Sequence, residues 1–196
     1  MEFTAAWFED QKEVIASFLH ADSSCELHIL EIGAYEGRGT VFYINNYLQH
    51  PKSTITSIDP FCLSDVTTPL NDQTYKRFLS NVAHSNYPDK LELQKQYSLC
   101  ALPQLITQNK QYDYITIDGS HLCKDVLVDA CLSYRLLKPD GIMFFDDYDN
   151  ELANTEADVP KKAIDAFLRC HPDMEVLHKQ YHLVAKKTAG RCHPKL

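Results

Sequence analysis

The chain is predicted to be α/β: a Rossmann-like, doubly wound, mostly parallel sheet ending in a C-terminal antiparallel hairpin. Three observations predict this. First, the strand pattern His28–Ile32 runs into Gly33, Gly37 and Gly39, and a helical pattern follows at once, the order of a nucleotide-binding corner. Second, short apolar runs alternate with helical runs along the chain, as in repeated βα units. Third, the last two strand patterns, Met174–His178 and Tyr181–Lys186, stand too close together for a helical crossover, so they pair as a hairpin.

Each element has its own signal. Residues 1–24 form an N-terminal capping element. Within it, residues 4–20 carry Trp7, Val14, Ile15, Phe18 and Leu19 near helical spacing, which predicts an amphipathic helix that caps the sheet or helps to close a ligand site. Strand one is His28–Ile32. The helix after it, Thr40–Leu48, is stopped by His50-Pro51. Strand two, Thr54–Ile58, ends at Asp59-Pro60. Phe61–Leu70 contains Asp65, Thr67, Thr68 and Pro69 and reads as a loop, and Asn71-Asp72 would cap a helix from Gln73 to Ala83.

The turn Tyr87-Pro88-Asp89 leads to strand three, Leu91–Gln96, and then to a short helix, Ala101–Gln108. Tyr112–Ile117 alternates aromatic and β-branched residues as strand four. Asp125–Leu137 is a helix with Val126, Leu127, Ala130, Leu132, Leu136 and Leu137 facing the core. Lys138-Pro139-Asp140-Gly141 predicts a turn before strand five, Ile142–Phe145, and the acidic pair Asp146-Asp147. After the polar loop Tyr148–Val159, Pro160 opens a helix to Cys170. His171-Pro172-Asp173 then turns the chain into the hairpin, and residues 188–196 are expected to be a flexible tail. No repeat or second composition regime appears, so residues 1–196 are read as one domain.

Composition narrows the functional classes. With 44% hydrophobic and 23% charged residues the chain is that of a soluble globular protein. A net charge of −8, with no clustered Lys/Arg stripe, argues against nucleic-acid binding. No apolar run approaches the roughly 20 residues of a membrane span. The start, Met1-Glu2-Phe3-Thr4, lacks a signal-peptide pattern, and seven scattered cysteines without a C-x-x-C read as reduced thiols, so a cytoplasmic location is expected. Nine histidines lack zinc-site spacing. Homo-oligomerisation is left open.

The glycine corner excludes two ligand classes. A dinucleotide fingerprint counted from Gly33 needs glycine where Tyr35 and Arg38 stand, so close backbone approach to a pyrophosphate is blocked. No glycine-lysine-serine/threonine triplet exists for a phosphate loop. In open α/β sheets ligands bind beyond the carboxyl ends of the strands, and polar residues gather there. Asp59 follows strand two and can accept hydrogen bonds from both ribose hydroxyls. Ser98 follows strand three and can either bond an adenine edge or begin a helix. Asp118 follows strand four, and Asp146 and Asp147 follow strand five. Three carboxylates on neighbouring strand tips repel one another unless protons or a cation intervene. An all-oxygen set selects a hard divalent ion, Mg²⁺ before Mn²⁺ or Ca²⁺.

The pattern Glu31-x-Gly33-x-x-x-Gly37 resembles the first motif of class I S-adenosylmethionine-dependent methyltransferases, and Glu31–Gly37 is similar to that of catechol O-methyltransferase. Tyr114–His121, Leu136–Gly141 and Phe145–Tyr148 resemble the small metal-dependent O-methyltransferases of the macrocin type. The resemblance runs from about residue 28 to 187. It implies S-adenosylmethionine held by Glu31, Gly33, Ala34, Tyr35, Gly37, Gly39, Thr40, Asp59, Pro60, Ser98 and Asp118. It also implies Mg²⁺ on Asp118, Asp146 and Asp147, and methylation of a small-molecule or sugar hydroxyl. One departure stands out: where catechol O-methyltransferase has a basic lysine, this chain has Ser120 and His121. His121, with an ordinary pKa of about 6.5, is the candidate base beside Asp118. Two alternatives are an oxygenase-like relative of the cephalosporin hydroxylase type and a non-catalytic binding subunit with the same fold.

Overall fold

A computed structural model of the chain describes residues 1–20, 22–61, 73–149 and 159–189. Its elements in order are α1 (Gln11–Phe18), β1 (His28–Ile32), α2 (Arg38–Tyr47), β2 (Thr54–Ile58), α3 (Gln73–Ala83), β3 (Leu91–Gln94), α4 (Ser98–Thr107), β4 (Tyr112–Ile117), α5 (Cys123–Leu136), β5 (Leu137–Phe145), α6 (Pro160–Cys170), β6 (Met174–Lys179) and β7 (Leu183–Lys187). The strands form one sheet in the order β3-β2-β1-β4-β5-β7-β6. Pairing is parallel from β3 through β5, and β7 is antiparallel to both β5 and β6. The fold class is therefore as the sequence predicts, terminal hairpin included.

Alternation along the buried strands splits the core between the two faces of the sheet. Leu30, Ile32, Ile115, Ile117, Met143 and Phe145 pack toward α4, α5 and α6. Ile29, Ile55, Tyr114, Phe144 and Val184 pack on the opposite side with Ile15 of α1, Tyr43 and Ile44 of α2 and Phe78 of α3. With helices on both faces, the strand runs are nearly continuous apolar segments, as parallel sheets require.

Register sets the site. Ile32 pairs with Ile58 on one side and Ile117 on the other, and Ile117 pairs with Phe145. The hydrogen-bond ladder then continues one residue beyond each strand. Gly33 N–H donates to Ile58 O (2.9 Å), Asp118 N–H to Ile32 O (2.9 Å) and Asp146 N–H to Ile117 O (3.1 Å). Asp59 N–H reaches Gln94 O at 3.2 Å. Gly33, Asp59, Asp118 and Asp146 thus sit side by side along one rim, and chain order reverses at β1 and β4 in its middle.

Several boundaries differ from the sequence expectation. The N-terminal helix is Gln11–Phe18, not residues 4–20. The preceding residues are held on other elements: Glu2 N–H donates to Asn81 Oδ1 (2.7 Å), and Thr4 N–H and Oγ1 to the Glu36 carboxylate (2.6 and 2.8 Å). Lys138–Gly141 is not a turn before β5 but part of it. The register with β4 shifts there, and Asp140 takes φ +64°. β3 stops at Gln94, and α4 begins at Ser98 and tolerates Pro103 within it. Of the expected tail, Thr188 is fixed by its N–H and Oγ1 on Asp173 O (2.8 and 3.0 Å). The rest of the tail, the Asn71-Asp72 cap and most of the two polar loops lie outside the described residues.

Candidate active site

Close packing makes the glycine turn. Gly33 has φ +90°, and a Cβ there would lie 1.8 Å from the backbone oxygen of Asp118, so β1 and β4 meet only because residue 33 has no side chain. Tyr35 also takes a positive φ of 48°, a strained setting for a non-glycine residue. Asp59 braces this turn. Its Oδ2 accepts the N–H groups of Ala34 (2.9 Å) and Tyr35 (2.8 Å), and Oδ1 accepts that of Phe61 (2.6 Å). Burial raises the Asp59 pKa, and the three backbone donors oppose the rise. Pro60 lies half-buried beside it.

Glu31 lies beneath the turn and is 3% exposed. Thr40 Oγ1 and Ser57 Oγ both donate to its Oε2, the latter at 2.7 Å. A Cβ on Gly39 would come within 2.5 Å of Oε1, so glycine at 39 leaves room for the carboxyl. Burial lifts the Glu31 pKa to about 7, partly offset by those two hydroxyls, with Asp59 adding to the rise. Glu31, Gly33, Ala34, Tyr35, Gly39 and Asp118 line a cavity of about 60 Å³. Two other expected cofactor residues are set back from it. Gly37 starts α2 at φ +80° against Phe78, and Thr40 is fully buried on Glu31. Ser98 begins α4, and its hydroxyl bonds Asp129, whose pKa burial raises to about 6 even though that bond opposes the rise. That bond holds the Ser98 hydroxyl to the helix layer.

The outer wall of the cavity comes from the N-terminal segment, through Phe3, Ala5, Trp7, Phe8 and Gln11. Gln11 is 2% exposed and donates Nε2–H to Asp118 Oδ2 at 3.0 Å. Arg38 closes the edge by pairing with Glu9 and stacking on Phe3, its guanidinium carbon 4.5 Å from the ring centre.

Beyond Asp118 the three predicted carboxylates converge. Asp118, His121 and Asp147 offer ligand atoms that all lie within 4.8 Å of one another. Burial, and then the neighbouring charges of Asp146 and Asp147, push the Asp118 pKa well above the usual carboxylate range. Asp147 sits at φ +53° and is held below its ordinary pKa. Burial pushes it up, but the hydrogen bonds from His121 (Nε2 to Oδ2, 3.0 Å) and from the Tyr181 hydroxyl outweigh that. Asp146 also faces Asp118, but its Oδ1 lies 2.6 Å from His182 Nδ1. That approach lacks hydrogen-bond alignment, and among the described residues neither atom has a hydrogen-bond partner. Sequence reading missed Gln11, His182, Tyr181 and Glu36. Glu36 lies within the glycine motif at one of its variable positions, and the other three stand at no motif spacing, so only the fold brings them to the rim.

Known proteins match this chain in sequence family and in fold. A family model described as a methyltransferase domain fits residues 30–148. An uncharacterised protein of Acanthamoeba polyphaga mimivirus is 29% identical over 126 residues, 63% of this chain, and the match spans about half of that relative's length. Among solved structures, the O-methyltransferase TomG of Streptomyces achromogenes, in complex with S-adenosylmethionine and involved in tomaymycin synthesis, superposes with TM-score 0.63. It is 16% identical, covering 83% of this chain and 73% of its own. The O-methyltransferase of Bacillus cereus, in complex with S-adenosylhomocysteine, gives TM-score 0.62 at 17% identity, covering 90% and 88%. The chain belongs to the methyltransferase-domain family, and its sheet is that of the class I S-adenosylmethionine-dependent methyltransferases.

Proposed function

We propose that this enzyme moves a methyl group from S-adenosylmethionine to a hydroxyl of a small molecule, with a divalent cation beside the acceptor. The observation that carries the reading is the shared rim: the glycine turn and the carboxylate group lie on either side of Asp118. The donor site is supported by a turn of bare backbone braced by Asp59 and by Glu31 beneath it. A cation suits the other side because burial, and then the crowded negative charge of Asp146 and Asp147, push Asp118 toward its neutral form, which a bound positive charge would relieve. Asp118 and Asp147 would hold it, with Asp146 turned partly to His182, and the His121 imidazole of the same group is kept for the proton. Carboxylate oxygens select a hard divalent ion, Mg²⁺ before Mn²⁺. Such an ion, when bound, lowers the pKa of a nearby hydroxyl.

The chain's own residues do the rest. His121, with its side chain 58% exposed, has the reach to take the acceptor's proton as the C–O bond forms and the C–S bond breaks. Asp147 orients the ring through its Nε2, and Tyr181 holds Asp147 in turn. Packing of β1 on β4 at Gly33 brings donor and acceptor sides to one place, the proximity that methyl transfer needs. The tight group has one histidine and two carboxylates, the reverse of an oxygenase triad, so a hydroxylase reading gains nothing. Free thiols at Cys25, Cys100, Cys123, Cys131 and Cys170 accord with a reducing, cytoplasmic setting.

The test is calorimetry with S-adenosylhomocysteine, followed by methyl transfer to a panel of hydroxyl acceptors with and without EDTA. Binding without turnover would point to a non-catalytic subunit. A folded sample that does not bind S-adenosylhomocysteine would end the reading. Turnover indifferent to chelation would remove the cation from it.

A further inference from the structure

The N-terminal segment does more than cap the sheet. Its backbone is tied down at Glu2 on Asn81 and at Thr4 on Glu36, and the Glu9 side chain pairs with Arg38. Asn81 and Glu36 are each 1% exposed, so these anchors are preformed in the body of the fold. From them the segment crosses the donor cavity, and two consecutive residues then reach the carboxylate rim. Gln11 bonds Asp118, and Asp10 lies 3.8 Å from His182, whose other ring nitrogen faces Asp146. The cavity beneath measures about 60 Å³, whereas ligand sites usually run to roughly 300 Å³ or more. A donor of nucleoside size needs the segment to move outward and settle again. Trp7, on its outer edge, is 71% exposed although its ring lies 5.2 Å from that of Tyr35.

We propose that residues Glu2–Gln11 are a strap that closes over the bound donor, and that Gln11 is a positioning residue that turns the Asp118 carboxylate toward the donor cavity when the strap is down. The inference rests on the donor reading above and adds a moving part to that site. Gln11 suits the role because a neutral amide donor orients a crowded carboxylate without adding charge. The bond is part-buried and to an acidic group, so its loss is worth roughly a tenfold change in donor affinity.

Trp7 is the only tryptophan in the chain, so its emission reports on the strap alone. S-adenosylhomocysteine is titrated into the full-length protein by calorimetry and by Trp7 fluorescence with acrylamide quenching, together with Gln11→Ala and Thr4→Val. Thr4→Val loosens the strap at its anchor without touching Asp118. Expected are a blue shift and reduced quenching of Trp7 on binding, about tenfold weaker binding by Gln11→Ala with a cooperative thermal transition retained, and weaker binding by Thr4→Val. Calorimetric binding with unaltered Trp7 emission and quenching overturns the strap and leaves the donor reading standing. So does wild-type affinity in both variants. No calorimetric binding by the folded wild type removes the donor reading, and the strap with it.

Discussion

Replacing Glu31 by Gln should make the protein less sensitive to pH, in a window set by this one carboxyl. Burial raises Glu31 from 4.5 to about 7 in the fold. Below pH 4.5 it is protonated in both folded and unfolded chains and contributes its full stability. As pH rises toward 7 the unfolded chain releases the proton and the folded chain keeps it, so stability falls. Above about 7 both are ionised and the loss is complete. Each tenfold in the equilibrium is worth about 1.4 kcal/mol, which makes the loss roughly 3 kcal/mol. Gln keeps an oxygen for Thr40 and Ser57, which both donate to Oε2, and never ionises. The variant should therefore match the wild type near pH 4 and exceed it by roughly 3 kcal/mol at pH 8, about 6–12 °C in melting temperature. Urea denaturation of both proteins in steps from pH 4 to 9 measures this. The difference curve cancels every other titrating group. A difference that stays flat across pH 4.5–7.5, or one that grows toward acid, would refute the assignment.

Other outcomes follow from the same geometry. Gly33→Ala puts a Cβ 1.8 Å from Asp118 O and should destabilise the fold by more than about 3 kcal/mol, seen as loss of the cooperative thermal transition. Phe144→Ala empties a fully buried site beside the His182 ring and should cost roughly 3–5 kcal/mol in denaturant unfolding. Asp147→Asn should abolish methyl transfer while S-adenosylhomocysteine affinity by calorimetry stays within about threefold, since Asp147 lies outside the donor cavity. Asp59→Asn should weaken donor binding by about tenfold, because an amide cannot accept all three backbone N–H groups on its two heteroatoms.

Much of this protein was already written in local signals. Strands such as Thr54–Ile58 and Tyr112–Ile117 are read from apolar run length and β-branching, and the structure places them at those same residues. A hairpin too short for a crossover declares its direction, and carboxylates immediately after strands must fall on one rim once the strands are parallel and in register. The glycine turn, Asp118, Asp146 and Asp147 were legible for that reason. Periodicity over-extended the N-terminal helix, because side-chain spacing does not register that Thr4, at its expected start, has better partners on Glu36.

Only packing in three dimensions decided the rest. Gln11 reaches Asp118 across 107 positions, and Tyr181 reaches Asp147 across 34, separations at which no local pattern exists. Whether Asp146 faces a cation or His182, and whether Glu31 carries its charge, depends on which groups exclude water around each carboxyl. Desolvation and pairing are set by neighbours in space, and a linear chain names those neighbours only where a regular element repeats them.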